Sequence, residues 1–244
     1  MNIALILSGG TGSRLGGDIP KQYIQVGGRP VISYCIETLS RHPLIHGLQI
    51  VADPSWREVI EGCLKMAGCQ GKFWGFSAPG ENRQLSILHG LEDLRRHGDD
   101  DGYVLIHDAA RPLLTSEQIG ECLAGAAGHD GLMPVLPMKD TVYSSLDGGR
   151  TVAALLDRGR IFAGQAPEVF KLGRYLEANR KLLPDKIRQI NGSTEPAVMD
   201  GMDIAMIPGD EGNFKITTKA DLERFDRICE NLAHRSVYRS DGKW

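Results

Sequence analysis

Residues 1–23 read MNIALILSGGTGSRLGGDIPKQY. The apolar run Asn2–Leu7 breaks at Ser8 into a loop that holds Gly9, Gly10, Gly12, Gly16 and Gly17 and carries Arg14 and Lys21. Glycines behind a first strand let backbone N–H groups close on phosphate oxygens. Two cations on such a loop point past anchoring, to chemistry at the phosphates. Attack on the α-phosphorus of a triphosphate builds negative charge there and on the leaving pyrophosphate, and fixed Arg and Lys side chains stabilise it. The plainer reading, that Arg14 and Lys21 are solvated surface charges, stays open at this point, because most Lys and Arg are exposed. Two phosphate motifs do not fit. A Walker A loop needs Ser or Thr directly after its lysine, and Lys21 is followed by Gln22. A dinucleotide fingerprint needs GxGxxG, and after Gly10 and Gly12 the third glycine stands one residue late, at Gly16. That counts against a dinucleotide-dependent oxidoreductase, the alternative from a different class.

Outward from this loop, apolar runs alternate with segments of helical period. NIALIL (2–7), GLQIVAD (47–53), GKFWGFS (71–77), YVLIHD (103–108), GLMPVLPM (131–138) and DIAMIP (203–208) read as strands. Between them, residues 31–42 form one helix. Asp53 and Pro54 start another, with Trp56, Val59, Ile60, Cys63, Leu64 and Ala67 on its apolar face. Ile87, Leu88, Leu91 and Leu94 share a face after Glu81-Asn82-Arg83-Gln84. Thr115 and Gln118 form a capping-box pattern, and Thr218 with Asp221 caps a last helix running to about Arg235. The expected architecture is α/β: a Rossmann-like, mainly parallel sheet with helices on both faces. Its ligands bind outside the carboxyl ends of the strands, where the first loop, the loop after Ser77 and the end of YVLIHD all lie. Residues 138–165 break the alternation and read as two extended segments around an Asp-Gly-Gly turn, a projecting β-arm for subunit contacts. A surface excursion without a role is the other reading of that arm. Residues 1–235 are thus expected as one domain and 236–244 as a polar tail.

With 244 residues, 41% hydrophobic and 24% charged, and a net charge of −3, the composition is that of a globular chain and gives no support for a nucleic-acid or anionic-membrane partner. No stretch is long and apolar enough for a membrane span, and residues 2–7 lack the flanks of a signal peptide. The five cysteines, Cys35, Cys63, Cys69, Cys122 and Cys229, are scattered without a CxxC, which fits free thiols in the cytoplasm. No Cys/His cluster suggests zinc.

The motifs together resemble a known family. LSGGTGSRLGGDIPKQY (7–23), GENRQLSILHGL (80–91), VLIHDAARP (104–112), PMKDTV (137–142), LLDRGRIFAGQAPEVF (155–170) and GNFKITTKADL (212–222) are similar, in order, to the signature segments of the cytidylyltransferases acting on methylerythritol phosphate. Relatives acting on ribitol phosphate share them. The resemblance implies that CTP and an alcohol phosphate give a CDP-alcohol and pyrophosphate. Methylerythritol phosphate is the expected acceptor, with ribitol 5-phosphate or another polyol phosphate for cell-wall or capsule polymers as the alternative. It implies Arg14, Lys21 and Lys215 as catalytic cations. It implies Ser8, Gly9, Gly10, Thr11, Gly12, Gly80, Glu81, Arg83, Ser86 and Ala109 around CTP. The acceptor would lie against Asp108, Arg111, Thr141, Arg158, Ser193 and Lys215, with the arm crossing to a second subunit of a homodimer. Mg²⁺ would sit at Asp108, with Asn213 as a second ligand. For Asp108 a turn-capping role, and for Arg158 a plain surface arginine, remain the simpler readings. His107 is expected as a packed support and not a catalyst. Three departures from the family's pattern fall on the acceptor side. Gln-Thr-Pro-Gln becomes Gln165-Ala166-Pro167-Glu168, Thr-Asp-[Asp/Glu]-Ala becomes Ser193-Thr194-Glu195-Pro196, and Gly212 stands before Asn213 where an acidic residue is common.

Overall fold

The structure is a computed structural model that describes residues 1–10, 19–97 and 100–240, with residues 234–240 by backbone alone. Strand β1 (Asn2–Leu7) leads to a one-turn helix at Lys21–Tyr23, a two-residue ladder of β2 (Gln25–Val26) and β3 (Arg29–Pro30), and helix α1 (Val31–Arg41). Then come β4 (Gly47–Val51), α2 (Arg57–Ala67), β5 (Phe73–Ser77), α3 (Arg83–Arg95), β6 (Tyr103–Asp108), α4 (Ser116–Gly125) and β7 (Gly131–Pro137). The arm is the ladder of β8 (Val142–Ser144) and β9 (Ala154–Leu156). The chain returns through β10 (Phe162–Gly164) and β11 (Glu168–Lys171) to α5 (Leu172–Arg180), α6 (Glu195–Met199), β12 (Ile204–Pro208) and α7 (Lys219–Ser240).

One eight-stranded sheet runs β7, β11, β6, β1, β4, β5, with β10 and β12 also paired to β7. The pairs β1–β4, β1–β6, β4–β5 and β7–β12 are parallel. Side chains alternate across these strands, as a pleat buried on both faces requires. Ile3, Leu5, Val104 and Ile106 face α3 and α5 through Leu88, Leu91, Tyr175 and Leu176. Ala4, Ile6, Ile50 and Leu105 face α1, α2 and α4 through Ile36, Leu39, Leu64 and Ile119. Helices on both faces are therefore as expected. The chain winds from β1 outward through β4 and β5, then returns to β6 on the other side of β1. The strand order reverses there, and a crevice opens at the carboxyl ends of β1 and β6, where Leu7 and Asp108 are register partners.

The local signals hold with small shifts. Thr115 and Gln118 make the reciprocal capping box of α4. Thr218 and Asp221 do the same for α7. Asp53 caps the short turn Pro54–Trp56, and α2 proper starts at Arg57. The last helix runs past Arg235 to Ser240, because no Gly or Pro interrupts residues 236–240. Two strands depart from a purely parallel reading, and the first is β10, antiparallel to β7. The chain returns from the arm without a crossover helix, so β11 is antiparallel to both β6 and β7 and lies between them.

Candidate active site

The first loop is held from behind. Gln22 Nε2 donates to the carbonyls of Ser8 and Gly10, both at 2.8 Å. The Tyr23 hydroxyl donates to the Ser8 carbonyl at 3.0 Å and accepts from Ser8 Oγ at 2.8 Å. Its ring stacks on Trp56 at 4.2 Å. The short helix that begins at Lys21 thus fixes that lysine's backbone against the end of β1. The second loop is shaped by the start of α3. Asn82 Oδ1 accepts from Leu85 N at 2.8 Å, Gly80 N donates to Ser86 Oγ at 2.9 Å, and Ser86 Oγ donates to Asn82 O at 2.9 Å. The two loops touch. A Cβ on Gly9 would stand 2.6 Å from Pro79 Cβ, and one on Gly80 would stand 2.4 Å from Leu85 Cβ. Both positions therefore need glycine for space.

Asp108, at the end of β6, is the centre of charge. Its Oδ1 accepts from Arg83 Nε at 3.3 Å and Nη2 at 3.2 Å. Its Oδ2 lies 2.9 Å from Lys215 Nζ and 3.7 Å from Arg111 Nε. Burial works to raise the Asp108 carboxyl, but Arg83, Lys215 and Arg111 outweigh it and hold it well below the usual carboxylate range. Lys215 reaches this point because its segment docks on the turn after β6. Ile216 N donates to Ala110 O at 2.9 Å, and Arg111 Nη1 donates to Asn213 O at 2.6 Å. Arg83 also contacts Ser193 Oγ and lies 3.7 Å from Glu168 Oε2. Burial pushes the Glu168 carboxyl up, against the pull of Arg83.

His107 is fully buried and its Nε2 donates to the Arg111 carbonyl at 2.9 Å, so this nitrogen carries the proton. Burial pushes the imidazole down to about 4. Unfolding therefore lets it bind a proton between pH 6.5 and 4, and stability falls as pH falls through that window. Expected is a loss of roughly 3 kcal/mol across it, at about 1.4 kcal/mol for each pH unit. His107→Gln keeps an N–H for the Arg111 carbonyl and flattens that part of the curve. Urea unfolding at several pH values checks it, and an unchanged slope in the variant would assign the loss elsewhere.

A cleft of about 430 Å³ opens over these groups, lined by Leu7, Gly9, Gly10, Lys21, Gln22, Gly80, Glu81, Asn82, Arg83, Ser86, Asp108, Ala110, Lys215 and Thr217. Lys21, Gly9, Gly10, Gly80, Glu81, Arg83, Ser86, Asp108 and Lys215 are thus brought together as the sequence predicts. Arg111 and Ser193 adjoin them through Asp108 and Arg83. Thr11, Gly12 and Arg14 lie outside the described residues. Three expectations change, at Ser8, Ala109 and Asn213. Ser8 is buried and its hydroxyl turns to Tyr23, away from the cleft. Ala109 is buried with its N–H on Leu7 O, and it is the next residue, Ala110, that lines the cleft. Asn213 is 1% exposed and is not among the residues lining the cleft, and its Nδ2 donates to Ala166 O at 2.8 Å. Thr141 and Arg158 are exposed on the arm, with Arg158 Nη1 donating to Lys139 O at 2.8 Å. Gln22, Asn82 and Thr217 join the cleft without having been singled out by sequence. The one signal for any of them is that Asn82 stands directly before a helical period.

The fold is of the α/β nucleotidyltransferase class. The family model IspD, 2-C-methyl-D-erythritol 4-phosphate cytidylyltransferase, matches residues 2–231. The chain belongs to that family. A bifunctional enzyme IspD/IspF of Rhodospirillum rubrum is 36% identical over 238 residues, covering 96% of this chain and 58% of the relative. Another, from Paramagnetospirillum magneticum, is 32% identical over 222 residues, covering 91% and 55%. The chain thus spans little more than half the length of these curated relatives. Among solved structures, the 4-diphosphocytidyl-2C-methyl-D-erythritol synthase of Anaerococcus prevotii superimposes with a TM-score of 0.80 at 22% identity, covering 94% of this chain and 96% of that one. The 2-C-methyl-D-erythritol 4-phosphate cytidylyltransferase of Francisella tularensis does so at 0.76 and 22%, covering 92% and 98%. Among the described residues no helix is long and apolar enough to cross a membrane.

Proposed function

We propose that this chain transfers the cytidylyl group of CTP to 2-C-methyl-D-erythritol 4-phosphate. An acceptor phosphate oxygen bonds to the α-phosphorus, the bond to the bridging oxygen breaks, and pyrophosphate leaves with its electron pair. The nucleophile is already anionic near neutral pH, so no general base is needed and positioning with cations suffices. The observation that carries the reading is the meeting of Lys21 and Lys215, from opposite ends of the chain, in one cleft walled by two glycine loops. Lys21 stands beside the loop that would cradle the triphosphate. Lys215, paired with Asp108, stands where charge develops as the acceptor phosphate closes. Arg14 would join them from the loop outside the described residues.

Among the described residues no three His, Cys, Asp or Glu side chains stand together as a metal cage. A nucleotide-bound Mg²⁺ needs less, one or two carboxylates with phosphate oxygens for the rest, and Asp108 fits as the single carboxylate. When bound, the ion neutralises charge on the phosphates.

The arm supports a homodimer. Tyr143, Leu146, Val152 and Leu155 are exposed on a two-stranded hairpin, Leu146 at 93%, and such a hairpin is marginal alone. A second copy would cover it and receive Thr141 and Arg158 at its acceptor end. Five free thiols suit the cytoplasm.

The test is pyrophosphate release with CTP and Mg²⁺, comparing methylerythritol 4-phosphate with ribitol 5-phosphate. Release with the first is expected. Release with the second alone would keep the chemistry and replace the acceptor, and release with neither would overturn the reading.

A further inference from the structure

Two of the departures from the family's sequence pattern meet at one side chain. Glu168, the first residue of β11, is 8% exposed. Its Oε2 lies 3.7 Å from Arg83 Nη2, and its Oε1 accepts from Thr194 Oγ1 at 2.9 Å. Ser193, the residue before Thr194, contacts Nη1 of the same arginine through its hydroxyl. Its carbonyl is pinned by the buried Tyr175 hydroxyl at 2.5 Å. Arg83 thus bridges α3, β6, β11 and the 193–194 turn, and through it Asp108 is set in the cleft.

The family's pattern has Gln at the position of Glu168 and Asp at the position of Thr194. Here the acid stands at the first position and a hydrogen-bond donor at the second, and the two side chains are bonded to each other. The two positions carry one negative charge either way. We infer that Glu168 is the positioning residue for Arg83, and that with Thr194 it forms a transposed pair in which carboxylate and donor have exchanged places. The pair orients Arg83 toward Ser193 and Asp108, and so acts on the acceptor end of the cleft. The charged groups facing it are Arg83, Arg111 and Asp108.

This inference rests on the cytidylyltransferase reading, and three variants test it. Glu168→Gln keeps the shape and removes the charge, leaving Arg83 to Asp108 alone. Its KM for methylerythritol 4-phosphate should rise about tenfold, the size of one lost partly buried ion pair, and by more than its KM for CTP does. Thr194→Asp sets a second carboxylate against Glu168 and lowers both turnover and melting temperature. The double variant restores the family's arrangement and returns the acceptor KM to within about twofold of the parent, a rescue that loss of packing would not show. An unchanged acceptor KM in Glu168→Gln, or a double variant no better than Thr194→Asp, overturns the inference. Melting temperatures of the four proteins decide it without turnover. Recovery in the double variant supports the pair, and additive losses overturn it. A parent that turns over no acceptor sinks the functional reading alone, because the four melting temperatures still decide whether the pair exists.

Discussion

Asp108→Asn should abolish most turnover while tightening the grip on metal-free CTP. The carboxylate now sits between Arg83 and Lys215, with Arg111 close by. Removing its charge leaves three cations facing one another with Glu168 as the nearest anion. Breaking a buried ion pair costs about 3–5 kcal/mol, and the lower end applies here because the Arg83 and Lys215 side chains keep 34% and 35% exposure. The site also becomes more positive. A triphosphate without metal should therefore bind several-fold tighter by calorimetry in EDTA. Turnover should fall by roughly 10²–10³, because Lys215 loses the partner that aims it at the reacting phosphate. General damage would weaken both. Weaker CTP binding in a folded variant would mean that Asp108 contacts the nucleotide directly.

The second large effect concerns two chains at once. Lys21→Ala should lose about 10³ in turnover with CTP binding largely kept, as expected for a cation that acts on the transition state. Arg158→Ala should lose comparably through the acceptor. If the arm completes the partner's site, a heterodimer of the two variants has one site with both lesions and one with neither. Random mixing makes half the dimers mixed, so about a quarter of parental activity should return when the two inactive proteins are unfolded and refolded together. Sites confined to one chain would give no recovery at all.

Much of this was legible in the sequence. Strands of a parallel sheet are buried on both faces, so NIALIL and YVLIHD stand out as unbroken apolar runs. Capping is local chemistry, so Thr115 with Gln118 could be read without a fold. The first glycine loop and Lys21 stood out by residue type, whereas Gly80, Asp108 and Lys215 were placed only by the family resemblance. What stayed hidden is whatever depends on partners distant in sequence. The antiparallel insertion of β11 is fixed by pairing with β6 and β7, which no local period encodes. A motif also marks a segment and not the direction of its groups. Ser8 and Ala109 belong to the right segments, yet their polar groups are spent on the protein itself. Asn213 supports the lysine two residues on. Glu168 showed as an odd residue in a familiar pattern, but its contact with Thr194 needed coordinates.

The docking of Ile216 on Ala110 has a consequence for how the protein is made. A ribosome releases β1, β4, β5 and β6 first, and with them the two glycine loops and Asp108. The cation opposite Asp108 arrives only when the segment carrying Lys215 has emerged and closed a loop of roughly half the chain, a contact whose entropic cost grows slowly with length. During synthesis the residues of both glycine loops, Lys21 and Asp108 therefore all emerge well before Lys215, the cation that pairs with Asp108.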